Sequence, residues 1–131
     1  MTVPMTVEVA NDVLIQMLDR LDTLPHCAKA RLGEFIRLYL IDFISFLERL
    51  LEKWRQSKPY LREKYAYNIA LLTSKKARGN TLRARYNAFI AYLVHRKVIT
   101  SYEAIYVYRL VPGGESIYTW LRMYRDLGVE P

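Results

Sequence analysis

The sequence is poorest in the residues that hold folds together covalently or through metals. Its 131 residues include one cysteine, Cys27, and two histidines, His26 and His95. A lone thiol excludes an internal disulfide and fits an intracellular setting. One thiol and two imidazoles also fall short of the four ligands of a closed zinc site, so no metal is expected. Cys27 itself reads as a small buried hydrophobe. Side-chain amides are scarce too, with two Gln and four Asn, a depletion that fits a thermophilic source.

Long uncharged hydrophobic runs are missing as well. The most apolar stretch, "FIRLYLIDFISFLERLL" (35–51), is interrupted by Arg37, Asp42, Glu48 and Arg49. A membrane span needs ~20 nearly uncharged residues, so this stretch reads as a soluble buried helix. The opening "MTVPMTVEVAND" has no positive patch followed by an apolar run, which argues against a secretory signal and for a cytoplasmic protein.

The constellations of catalysis are absent from the pattern. "RGN" and "PGG" are too short and wrongly placed to cradle phosphates. The carboxylate pairs Asp19/Asp22 and Glu48/Glu52 have the spacing of a solvated helix face, and no Ser or Cys sits in a nucleophile motif. Neither an enzyme nor a cofactor is expected.

What is present is a core and a charge. Hydrophobic residues make up 52% and charged residues 25%, enough for one ordinary folded domain over 1–131. The net charge is +7, and it is unevenly placed. Between Lys64 and Tyr102 there is no Asp or Glu, but there are eight cations: Lys64, Lys75, Lys76, Arg78, Arg83, Arg85, Arg96 and Lys97. Such a run repels itself unless an anionic partner or acids elsewhere in the fold offset it. Phosphates are the commonest partner, and their binding gains from counterion release.

Helical periodicity runs throughout, broken by proline and glycine, with no convincing alternation of strand type. Ala10, Leu14, Met17, Leu18 and Leu21 make an apolar stripe over 6–21. A second, longest pattern runs over 28–56, from Leu32 to Trp54. Leu38, Ile41 and Ile44 widen its stripe, which predicts a central helix covered on most sides or used for dimerisation. "KPYLREKYAYNIALL" predicts a third helix starting at Pro59, and "TSKKARGN" (73–80) a basic hinge. A fourth helix is expected over 81–96, with Leu82, Tyr86, Phe89, Ile90 and Leu93 inward. "TSYE" has the spacing of a capping box, so a fifth begins at Thr100. The sixth is "SIYTWLRMYRDLG" (116–128), stopped by Gly128. The fold expected is all-α, a compact bundle of about six helices. Residues 1–57 would supply core or dimerisation helices and 58–131 a basic helical part.

Ile117, Trp120, Leu121 and Tyr124 form one inward stripe of the last helix, leaving Tyr118, Thr119, Arg122 and Arg125 toward the outside. Together, "TSYEAIYVYRLVPGGESIYTWLRMYRDLGV" (100–129) resembles the helix-turn-helix of resolvase-, transposase- and homeodomain-like proteins. The resemblance lies in a capped Tyr-Glu start, a tight break, and a second helix with Ile117 and Trp120 at its inward positions. It departs where that family has a small residue and this chain has Val107, and where the turn glycine is replaced by Val111 before Pro112. The resemblance implies a recognition helix whose Arg122 and Thr119 read base edges. An ordinary helical hairpin is the alternative. In overall look the chain also resembles small uncharacterised proteins of viruses infecting hyperthermophilic archaea, which bears on setting (host cell or virion) and not on mechanism.

These readings lead to a nucleic-acid-binding protein, a duplex-DNA regulator or packaging factor, with Lys75, Lys76, Arg78, Arg83 and Arg85 on phosphates. Tyr118, Thr119, Arg122 and Arg125 would face the groove. Ten of the eleven tyrosines lie from Tyr60 to Tyr124 among these cations, so stacking on single-stranded DNA or RNA is a variant. Tyr67, Tyr92 and Tyr118, off the apolar stripes, are its candidates, whereas Tyr65, Tyr86 and Tyr124 belong to the core. The competing class is a helical structural or interaction protein, such as a virion component or a homodimeric adaptor joined through 28–56. An exposed apolar strip on that helix, with distant acids neutralising the basic segment, would favour it.

Overall fold

A computed structural model describes residue 22 and residues 24–74, 79–108 and 115–131. The helix expected at 6–21, the hinge residues 75–78 and the turn at 109–114 lie outside these residues. Among the described residues there are six α-helices and no strand.

The first, α1 (His26–Gln56), starts behind Pro25, whose carbonyl accepts the Lys29 N–H at 2.9 Å. It stops where Pro59 forces Lys58 into extended backbone (φ −62°, ψ 150°). Pro59 then opens α2 (Pro59–Lys64) at a position that needs no N–H donor. The return is tied twice: the Trp54 indole donates to the Arg62 carbonyl at 3.1 Å, and Arg62 donates to the Ser57 carbonyl at 2.5 Å.

The single helix expected from Pro59 is in fact two. Tyr65 (φ −106°, ψ 9°) leaves the α-helical region and separates α2 from α3 (Ala66–Thr73). The kink lets the Tyr65 ring turn into the core, where it is buried and its hydroxyl meets Asp126.

The centre of the fold is α4 (Asn80–His95), not α1 as the stripe widths suggest. Every residue of α4 from Ala84 to Leu93 is buried. Ala84, Ala88 and Ala91 give it a shallow surface on which neighbours approach closely, and larger rings fill the remaining sides. Phe43 of α1 meets Phe89 edge to face at 5.2 Å, and Phe46 lies 4.8 Å from Tyr92. By contrast α1 is one-sided. Leu32, Ile36, Phe43, Phe46, Leu47 and Leu50 are buried, whereas Leu38 and Ile41 are 57% and 78% exposed. At about 100° per residue these two point away from Phe43 and Leu47, so they do not widen the buried stripe. Cys27 is exposed on α1, not buried.

α4 ends at Lys97, which takes the left-handed conformation (φ 64°) while Val98 N–H reaches back to the Leu93 carbonyl at 2.8 Å. This is the Schellman closure, with a lysine in the place glycine usually holds. The chain then enters α5 (Ser101–Glu103) through the expected capping box: Thr100 Oγ1 accepts the Glu103 N–H at 3.1 Å, and Glu103 accepts the Thr100 N–H at 3.0 Å. That backbone bond, aided by the Thr100 hydroxyl and Arg31, holds the Glu103 carboxyl below its ordinary range. The helix continues as a π turn over Ala104–Tyr108. Its end is fixed by Tyr86, whose hydroxyl donates to the Tyr108 carbonyl. The last helix, α6 (Ile117–Asp126), closes on Gly128 (φ 66°), with Val129 N–H bonded to the Tyr124 carbonyl at 3.1 Å.

Candidate nucleic-acid interface

α6 is built as a helix with one committed face. Ser116 caps it, accepting the Thr119 N–H at 3.2 Å. Ile117, Trp120, Leu121, Met123 and Tyr124 are all buried, and the Tyr124 hydroxyl donates to the Ala88 carbonyl of α4 at 2.7 Å. The same burial pushes the Tyr124 hydroxyl well above the ordinary tyrosine range. Anchored in this way, α6 turns Tyr118, Arg122 and Arg125 to solvent, with Tyr118 59% exposed. Thr119 is half-buried, and its hydroxyl lies 3.1 Å from Ser116 Oγ, so it serves the cap.

The C-terminal end of α6 meets the α2–α3 junction. Tyr65 donates to the Asp126 carboxylate, and Lys64 lies 3.7 Å from the same group. Tyr65 is raised above the ordinary tyrosine range, first by burial and then by Asp126, with the positive charge of Arg122 acting in the opposite sense. Arg122 therefore stands at the edge of a small cluster carrying Lys64, Tyr65 and Asp126. The helix preceding it, α5 with its π turn, rests on α1 and α4, and α6 packs chiefly on α4. The two halves of the stretch that resembles a helix-turn-helix are thus both supported by α4.

The acid-free segment does not present its cations as one free stripe. Arg96 pairs with Asp42 at 2.7 Å, bonds to the Tyr92 hydroxyl at 2.8 Å and lies over the Tyr39 ring at 4.9 Å. The bonds to Tyr92 and Asp42, in that order, raise its pKa. Lys64 has Asp126. Arg85, expected on phosphates, is 1% exposed and donates to the Ser74 carbonyl at 2.6 Å. A side chain held there has no phosphate within reach, and its role is to fasten the end of α3 to α4. Arg83 is half-buried, with Nε lacking a hydrogen-bond partner among the described residues. Lys97 is exposed. Lys75, Lys76 and Arg78 lie outside the described residues.

The tyrosines divide differently from the expectation in one case. Tyr67 is 57% exposed and joins Tyr118 as a surface ring, whereas Tyr92 is 1% exposed between Phe43, Phe46 and Arg96. Three further surface rings lie outside the expected set, one of them Tyr60 in α2. Tyr102 and Tyr106 are 68% and 66% exposed, with ring centroids 4.7 Å apart. Their spacing of four residues in a helical segment is the signal that could have found them.

Among the described residues no group of three or more His, Cys, Asp or Glu is placed to hold a metal ion, and no helix is long and apolar enough to cross a membrane. No protein-family model matches the chain, and no curated protein or solved structure is significantly similar to it.

Proposed function

We propose that the protein binds nucleic acid, with duplex DNA as the leading target, as a small regulator or packaging factor. The observation that carries this reading is α6: five buried anchors fix it while Tyr118, Arg122 and Arg125 face solvent, on a chain of net charge +7. A rigid helix with an outward Arg-Tyr face suits groove or backbone contact, and the hinge cations Lys75, Lys76 and Arg78 would supply further phosphate contacts. The test is titration of labelled duplex and single-stranded DNA over a salt series. Steeply salt-dependent binding supports the reading; no binding at low salt ends it.

A second reading, a helical structural or interaction protein, is favoured by a different observation. Leu38 and Ile41 stand exposed on α1, and two cations of the basic segment, Lys64 and Arg96, already have acids from distant parts of the chain.

A further inference from the structure

The exposed side of α1 carries a regular seam. Leu38 and Ile41 sit at its middle, with Cys27, Arg31 and Glu34 before them and Ser45, Glu48 and Glu52 after; all eight are exposed. The steps between successive members alternate strictly between four and three residues. That is the 3.5-residue repeat with which one helix presents a continuous line to another. The spacing itself belongs to any exposed helix face; what distinguishes this one is the apolar pair at its middle and the charges that flank it.

The seam is also self-complementary in one orientation only. Laid antiparallel on a second copy about a two-fold axis midway between Leu38 and Ile41, every member falls opposite another member. Leu38 meets Ile41, Arg31 meets Glu48, Glu34 meets Ser45, and Cys27 meets Glu52. Laid parallel, each residue would meet itself, placing Arg31 on Arg31 and Glu34, Glu48 and Glu52 each on its own like charge. Arg31 already reaches Glu103 at 3.4 Å, but a guanidinium carries five donors and has some left for a second carboxylate. The apolar pair then lies at the centre of the contact with charge at its two ends, the usual distribution of a protein interface.

We infer that α1 is the contact of a two-fold, antiparallel homodimer, centred on Leu38 and Ile41 and oriented by Arg31 and Glu48. The inference rests on the interaction reading for its surface and stands apart from nucleic-acid binding, since it is measured without nucleic acid. It also gives that reading a definite partner, a second copy of this chain, in the isologous geometry most homodimers adopt.

Sedimentation equilibrium of the full chain over a range of concentration tests the contact, and cysteine cross-linking tests its orientation. The wild type is expected to be dimeric, with a Tm that rises with concentration, and L38K/I41K to be monomeric, with a cooperative transition matching that of dilute wild type because both positions are on the surface. For orientation, E52C places a thiol opposite Cys27 of the second copy, where a disulfide needs a Cα separation of ~4.4–6.8 Å. Oxidation with diamide should link that variant into a dimer. The wild type should stay uncross-linked, because its two Cys27 residues would be ~37 Å apart along the seam at 1.5 Å per residue. A wild type that stays monomeric at its highest soluble concentration overturns the dimer. Rapid cross-linking through Cys27 in the wild type shows the parallel arrangement and overturns the antiparallel one. A dimer that binds no DNA retains this inference and removes only the nucleic-acid one.

Discussion

The hydroxyl of Tyr65 donates to the carboxylate of Asp126, joining the kink between α2 and α3 to the last turn of α6. Residues 61 positions apart in sequence are thereby locked together beneath Lys64 and beside Arg122. The outward face of α6 owes its position to this contact as well as to its buried stripe.

Tyr65→Phe should therefore destabilise the fold by about 1 kcal/mol, the typical net value of one such bond. The effect has a pH signature. The Tyr65 pKa is raised in the folded state, so its contribution is fully present below the ordinary tyrosine pKa of about 10 and is lost as pH rises beyond it. Thermal melts from neutral into alkaline pH should show a shallower alkaline loss in Tyr65→Phe than in the wild type. Identical slopes would mean that this hydroxyl carries no linkage.

Arg122 and Trp120 separate recognition from packing within one helix. Arg122→Ala should leave thermal stability nearly unchanged and weaken DNA binding by ~1–3 kcal/mol if the side chain contacts a base. Trp120, 0% exposed, should behave oppositely, with Trp120→Ala costing ~3–5 kcal/mol of stability. Wild-type affinity and sequence preference in Arg122→Ala would remove its base-reading role.

The basic hinge is tested through salt. On duplex DNA, log K should fall by ~0.9 for each phosphate contact as log salt rises by one. Replacing Lys75, Lys76 and Arg78 together by Ala should flatten that slope and weaken all sequences alike, with little effect on folding. An unchanged slope would place the phosphate contacts elsewhere.

Arg85 should respond as a structural residue. Arg85→Ala removes the bond to the Ser74 carbonyl and leaves a gap beside α4, so a loss of about 1–3 kcal/mol in stability is expected. DNA affinity per folded molecule should not change. A selective loss of affinity with unaltered stability would return Arg85 to the surface role that its charge suggests.

Arg85 also shows how far the sequence is legible. Its place in a run of cations suggests solvent, yet it falls three residues after Leu82 and four before Phe89, on the inward face of α4. Periodicity carries the right answer and charge the wrong one. Where local chemistry alone decides, as in the Thr100–Glu103 capping box, the Gly128 stop and the inward stripe Ile117, Trp120, Leu121 and Tyr124, pattern and structure agree. Leu38 and Ile41 depart from expectation because hydrophobicity does not say whether a surface has a neighbour. The kink at Tyr65 is hidden for a related reason: a helix-compatible sequence is broken by the tertiary demand for its ring in the core. The prominence of α4 depends on its buried alanines as well as on Phe89 and Tyr92, where rings of α1 gather, and alanines carry little signal in the sequence.

The π turn at Ala104–Tyr108 has a consequence for how this chain tolerates change in length. A π turn is an α-helix that has absorbed one residue more than its regular winding holds. Removing one residue there would return the segment to regular winding with its downstream end close to its present phase, whereas adding one would turn that end by about 100° relative to the core. After such an insertion Tyr108, whose ring meets Phe35 at 5.9 Å and whose carbonyl receives Tyr86, would be carried off both partners. Substitutions at the outward Tyr102 and Tyr106 leave that phase intact, whereas a one-residue insertion between Glu103 and Tyr108 does not. The segment is permissive toward the side chains it displays and can give up its extra residue, but it has no room to take in another.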